Sequence, residues 1–215
     1  MKIDAYTHFA CIELVEHLEL LSGRQMVFRG LFSRIPELMN VAARLRFMDA
    51  HNVDVHVLVP LPWLECEPAI ANDEVTALAT CRVANDAMAR LVAAHPTRFV
   101  GIALIPTVSA AAMAAETERA VTQLGLAGVA LFVGPTVKPP DHPDFDSLWA
   151  VCAATGAPVW LHPCRPQSYP DYEAYRGLPP AQGGGSRHQI WNTFGWIYDT
   201  SVAMVHIALA GAFRR

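Results

Sequence analysis

The chain has 215 residues, 53% of them hydrophobic and 17% charged, with a formal net charge of −4. That much apolar material at this length suits one well-buried domain or two small ones and excludes an intrinsically disordered chain. The acidic balance, with no run of Lys or Arg, excludes a nucleic-acid partner as the expectation. The longest nearly apolar run, Val202–Phe213, is short for a bilayer span and carries His206, so no membrane partner is expected either.

The opening "MKIDAYTHFA" alternates apolar and polar residues and predicts a strand ending on His8. A period of two places Asp4, Tyr6 and His8 on one face and Ile3, Ala5 and Thr7 on the other. Cys11–Leu21 has helical apolar spacing. The stretch after it, with Arg24, Arg29 and Arg34 among aromatic residues, reads as an irregular excursion. Ile35–Asn52 recovers a helical period, with Pro36 suited to its first turn. Val53–Pro60 is a β-branched strand closed by proline. The helix that follows has Asn72 or Asp73 as N-cap and Pro96 as its stop.

The same grammar repeats. Arg98–Pro106 is a strand ending at proline, and an alanine-rich helix follows it and stops at Gly125. Leu126–Pro135 is a strand, Asp144–Gly156 a helix, and Ala157–Pro163 a fifth strand. A Pro- and Gly-rich stretch containing Gly183–Gly185 then leads to a last helix over 190–213. No low-complexity linker divides the chain.

Strands apolar on both faces and separated by helices specify a parallel sheet covered by helices. Right-handed crossovers make that a doubly wound sheet or a barrel, and no G-x-G-x-x-G follows the first strand to favour a dinucleotide fold. Proline at the strand exits ends each ladder at one end of the sheet, which is where barrel enzymes place their chemistry. His8 and His162 both sit at such exits. Two imidazoles projecting inward from opposite walls can reach one metal ion or one substrate.

The remaining histidines carry less. His51 and His95 fall at helix C-termini, where an imidazole caps, and His56 falls inside a buried strand. Cys11, Cys66, Cys81, Cys152 and Cys164 form no C-x-x-C pair, so reduced thiols in a cytoplasmic protein are expected.

The segments "IDAYTHF", "RLRFMDAHNVDVHVLVP", "AHPTRFVGIALIP", "DHPDFDSLWAVCAATGAPVWLHP" and "TFGWIYDTSVAMVHIALAGAF" occur in an order that resembles amidohydrolase-related proteins. Within that superfamily the resemblance is to the aminocarboxymuconate-semialdehyde decarboxylase branch. It runs over the whole chain, and His162 and Trp196–Asp199 carry its most specific parts. It implies a metal-dependent TIM-type (β/α)8 barrel that decarboxylates, hydrates or hydrolyses a small carboxylated substrate. The family's first strand carries His-x-His, its fifth a further His, its sixth a catalytic His and its eighth an Asp.

On that resemblance residues 1–215 form a single domain, an incomplete barrel of about five parallel strands without the segment for strands six to eight. His8 and His162 become the metal and catalytic residues, and a divalent metal, zinc first, is the implied cofactor. Tyr6 stands where the family's first metal histidine would be and is assigned to the substrate, as is Arg29. Arg29, with Arg24 and Arg34, is suited to hold a carboxylate by forked hydrogen bonds, the alternative being a solvated surface. Two histidines and a phenol make a weak site, so metal in this chain alone is expected to be weak or absent. Open first and fifth strands would expose apolar interior residues to water. A homo-oligomer or a missing C-terminal partner is therefore expected, and a catalytically inactive subunit is the rival reading.

Overall fold

A computed structural model describes residues 1–26, 29–61, 67–133, 138–163 and 194–214. In chain order the elements are β1 (Ile3–His8), α1 (Ile12–Ser22), α2 (Arg29–Arg34), α3 (Val41–Ala50), β2 (Val55–Val59), α4 (Pro68–Ala71), α5 (Glu74–Ala94), β3 (Phe99–Leu104), α6 (Ala110–Thr122), β4 (Gly128–Val133), α7 (Asp146–Thr155), β5 (Val159–Pro163) and α8 (Trp196–Leu209). The five strands form one parallel sheet in the order β1-β2-β3-β4-β5. It is a curled half-barrel with helices on its outer wall; the strand and helix pattern predicts the parallel sheet, and the family resemblance the incomplete barrel.

Local chemistry sets the boundaries. Asp73 caps α5 by accepting from Thr76 N, and Ser109 caps α6 by accepting from Ala112 N. Gly156 ends α7 at φ +71°, a left-handed conformation that glycine adopts without steric cost. Gly128 opens β4 because β5 passes so close: a Cβ there would lie 2.3 Å from Pro158 O. The helix expected over 35–52 is interrupted. A tight turn at Pro36–Leu38 comes first, and Asn40 then caps α3 through Ala43 N.

The core divides along the pleat. Leu58, Phe99, Ala103, Val129 and Leu131 pack with Met48, Met88, Met113 and Leu148 of the outer helices. Val57, Val59, Ile102, Leu104, Ala130 and Phe132 pack instead with Leu14, Val15 and Leu18 of α1 and with Met26 and Phe32. This corrects the expectation that an incomplete barrel leaves its inner aliphatics in water. The same cluster takes in Ala77 and Ala84 of α5, with Trp160 of β5 packed against it.

Two bonds join the outer strands across the interior. Tyr6 Oη–H donates to Leu161 O at 3.0 Å, and Trp160 Nε1–H donates to Ala5 O at 3.0 Å. Each side chain thereby satisfies a main-chain carbonyl of the opposite strand.

Candidate functional site

His8 ends β1 and His162 lies one residue before the end of β5. Both are turned to the inner face, and their Nε2 atoms stand 3.1 Å apart. The convergence expected from the two strand exits is what the fold produces.

The face shared by β1 residues differs from simple alternation. Asp4 registers with His56 and His8 with Val59, so four steps along β1 run against three along β2. The register shift, between Asp4 and Thr7, breaks the parity and puts Asp4 on the face opposite His8. Tyr6 stays beside the pair, its ring centroid 5.9 Å from that of His8 and 6.2 Å from that of His162.

Main-chain carbonyls fix the protonation of both imidazoles. His8 Nδ1 faces Val59 O at 3.3 Å and His162 Nδ1 faces Pro163 O at 2.6 Å. A carbonyl only accepts, so each Nδ1 carries the hydrogen and each Nε2 presents a lone pair. Two lone pairs then meet at 3.1 Å. A proton between them is disfavoured at neutral pH: burial, and secondarily the neighbouring His8, push His162 down to about 4. Burial lowers His8 as well, with the Arg44 charge adding a little and the Val59 and Pro60 carbonyls opposing.

Two imidazole nitrogens on one tetrahedral zinc ion lie about 3.3 Å apart. The spacing and the Nδ1–H···O=C bonds therefore suit two ligands of a divalent metal. A third ligand does not come from Tyr6, whose phenol burial raises to about 12 and whose hydroxyl is bonded to Leu161 O. No group of three His, Cys, Asp or Glu side chains able to hold a metal ion occurs among the described residues.

The arginines do not converge on the pair. Arg29 is engaged by Glu19 through two bonds of 2.7 and 2.8 Å, and Arg24 by Glu67 at 2.6 Å. The Arg29 fork expected to meet a substrate carboxylate is engaged here by a carboxylate of the chain itself. His51 and His95 sit at the C-termini of α3 and α5 as expected, and Cys11, Cys81 and Cys152 are buried. Cys66, Cys164 and Gly183–Gly185 lie outside the described residues.

Sequence reasoning left two neighbours of His162 and one buried carboxylate without a role. Phe132 and Trp196 wall His162, with ring centroids at 5.3 and 6.3 Å. Asp199, one helical turn after Trp196, is 9% exposed with Oδ2 buried and unbonded, and burial raises its carboxyl above the usual range. No helix among the described residues is long and apolar enough to cross a membrane.

Comparison with known proteins agrees with this fold. The amidohydrolase family model matches residues 14–215. The gamma-resorcylate decarboxylase of Rhodococcus jostii (strain RHA1) is 28% identical over 99% of this chain and 63% of its own length. Among solved structures, 5-carboxyvanillate decarboxylase from Sphingomonas paucimobilis matches with a TM-score of 0.76 and 28% identity, over 100% of this chain and 64% of that one. A dihydroxybenzoic acid decarboxylase from Polaromonas sp. JS666, solved with bound manganese and the inhibitor 2-nitroresorcinol, matches with a TM-score of 0.73 and 26% identity, over 99% and 61%. The chain thus spans under two thirds of the length of each of these relatives.

Proposed function

As the chain belongs to the amidohydrolase family, we propose that it carries the β1 and β5 half of a metal-dependent decarboxylase site for a small carboxylated aromatic compound. The observation that carries this reading is the pair of Nε2 lone pairs held 3.1 Å apart by Nδ1–H bonds to carbonyls. Buried polar groups facing one another without a hydrogen between them are costly, and a shared cation relieves that. Names of the related proteins support the substrate class.

His8 and His162 would hold a divalent ion, which supplies polarisation of the substrate's oxygens when bound. Phe132 and Trp196 offer apolar ring surface beside His162 to an aromatic substrate. Tyr6 is a neutral phenol near the pair whose one hydrogen goes to Leu161 O, so it would meet a substrate carboxylate or phenolate only by giving that bond up. In the reaction the carbon–carbon bond to the carboxylate breaks and carbon dioxide leaves. The bonding electrons stay on the ring carbon, which takes a proton from water. No electron donor or acceptor is needed.

A second reading is a non-catalytic subunit, since a catalytic zinc takes three protein ligands and an open position and the described residues bring two imidazoles together. One assay separates the two. The chain is incubated with manganese and a panel of hydroxybenzoates, and carbon dioxide release is followed. Release that disappears in His162→Ala supports the decarboxylase. No release, with manganese binding intact, leaves the subunit reading.

A further inference from the structure

Arg44, in α3, is 4% exposed, and its guanidinium spends its donors on neutral acceptors. Nε donates to Glu37 O at 2.8 Å, Nη1 meets His56 Nδ1 at 3.0 Å, and Nη2 donates to His8 O. The guanidinium carbon also sits 5.2 Å from the centre of the Phe9 ring. Burial lowers its pKa to about 10, so it remains charged at neutral pH.

The bond to His8 fills a place that the sheet cannot. Phe9 N donates to Val59 O at 3.1 Å, which extends the β1–β2 ladder one step past His8. The His8 carbonyl is the other end of that same trans peptide and points the opposite way, beyond reach of β2. Arg44 gives it a charged donor. The His8 backbone is thereby held from β2 on one side and from α3 on the other.

His56 completes the clamp. Arginine only donates, so His56 Nδ1 accepts, and its hydrogen sits on Nε2. That Nε2 is buried without a partner. The fold tolerates an unsatisfied donor on His56 while keeping the third bond of Arg44.

We propose that Arg44 is a positioning residue for the His8–His162 pair, its buried guanidinium fixing the main chain of His8 so that the imidazole presents Nε2 to His162. The inference rests on reading that pair as the site. A lysine cannot replace it, because one ammonium does not span three acceptors in a fixed fork.

The test uses the full chain labelled with nitrogen-15 in histidine, and follows ring-nitrogen resonances and zinc titration. In the parent chain His56 is expected as the Nε2–H tautomer and His8 as the Nδ1–H tautomer. In Arg44→Lys the His56 preference is lost, the His8 ring resonances move, and zinc affinity falls roughly 10-fold. A folded Arg44→Lys chain with unchanged His8 resonances overturns the proposal, since loss of packing alone leaves the ring's tautomer where it was. If Arg44→Lys does not fold, His56→Phe removes one acceptor while keeping ring volume. A His8 shift in the same sense supports the clamp, and none refutes it. Absence of zinc binding in the parent chain would strike the site reading, while the His8 and His56 resonances still decide the role of Arg44.

Discussion

His8 on β1 and His162 on β5 bring their Nε2 atoms to 3.1 Å although 154 positions separate them in the chain. Their Nδ1 atoms turn away, to Val59 O and Pro163 O. Between them is a place for a cation that the described residues furnish with two nitrogens and a neutral phenol.

Two ligands bind an ion weakly, so the purified chain is expected to lose manganese or zinc on dialysis. Elemental analysis checks this, and one retained ion per chain would refute it. Tyr6→His places a third imidazole beside the pair and is expected to raise affinity. An unchanged affinity would mean that position 6 does not face the point on which His8 and His162 converge.

Acid should unfold the chain through the same pair. His162 has a folded pKa of about 4 against the ordinary imidazole value of 6.5, so the folded state binds fewer protons than the unfolded one. Stability is then full above 6.5 and is lost as the pH falls from there toward about 4. Urea midpoints across that window should slope less steeply in His162→Gln than in the parent chain. Parallel slopes would show that the site does not titrate as described.

Asp199 should act with the opposite sign. Its carboxyl is raised above 3.8 by burial, so the carboxylate is the disfavoured form in the fold. Its contribution is complete below 3.8 and is lost as the pH rises through the folded value. Asp199→Asn is expected to melt higher than the parent at neutral pH, with the difference closing near about pH 3. A variant less stable at neutral pH would reveal a partner for the carboxylate.

The joint between α5, α6 and β3 is polar and buried. Asn85 bonds both the N–H and the carbonyl of Leu104, and its amide also donates to Glu116 Oε1 at 2.7 Å. Arg119 closes on Glu116 through two bonds of 2.9 and 2.8 Å. Glu116 is fully buried, so Arg119→Ala strips a buried carboxylate of its main cation and should cost roughly 3–5 kcal/mol. Arg82, half exposed and 3.5 Å from the same carboxylate, remains as a second, weaker partner. Chemical denaturation measures the loss. A change below about 1 kcal/mol would mean that the carboxylate finds water or takes up a proton instead.

Proline at the strand exits, glycine and polar caps at the helix ends, and apolar strands between amphipathic helices determined a parallel sheet covered by helices, and the family resemblance made it an incomplete barrel. These signals are local: each depends on a few neighbours whose spacing is visible in the chain. Placement of His8 and His162 at the same end of a parallel sheet followed from the same signals. Three features did not. The register shift between Asp4 and Thr7 depends on how β2 is approached, and alternation within β1 carries no trace of it. The pairing of Arg29 with Glu19 depends on where the chain folds back after β1. Arg44 reads in sequence as one more polar residue of a helix. Only when α3 is laid against β1 does its guanidinium meet the carbonyl of His8, and that meeting is a property of the packing.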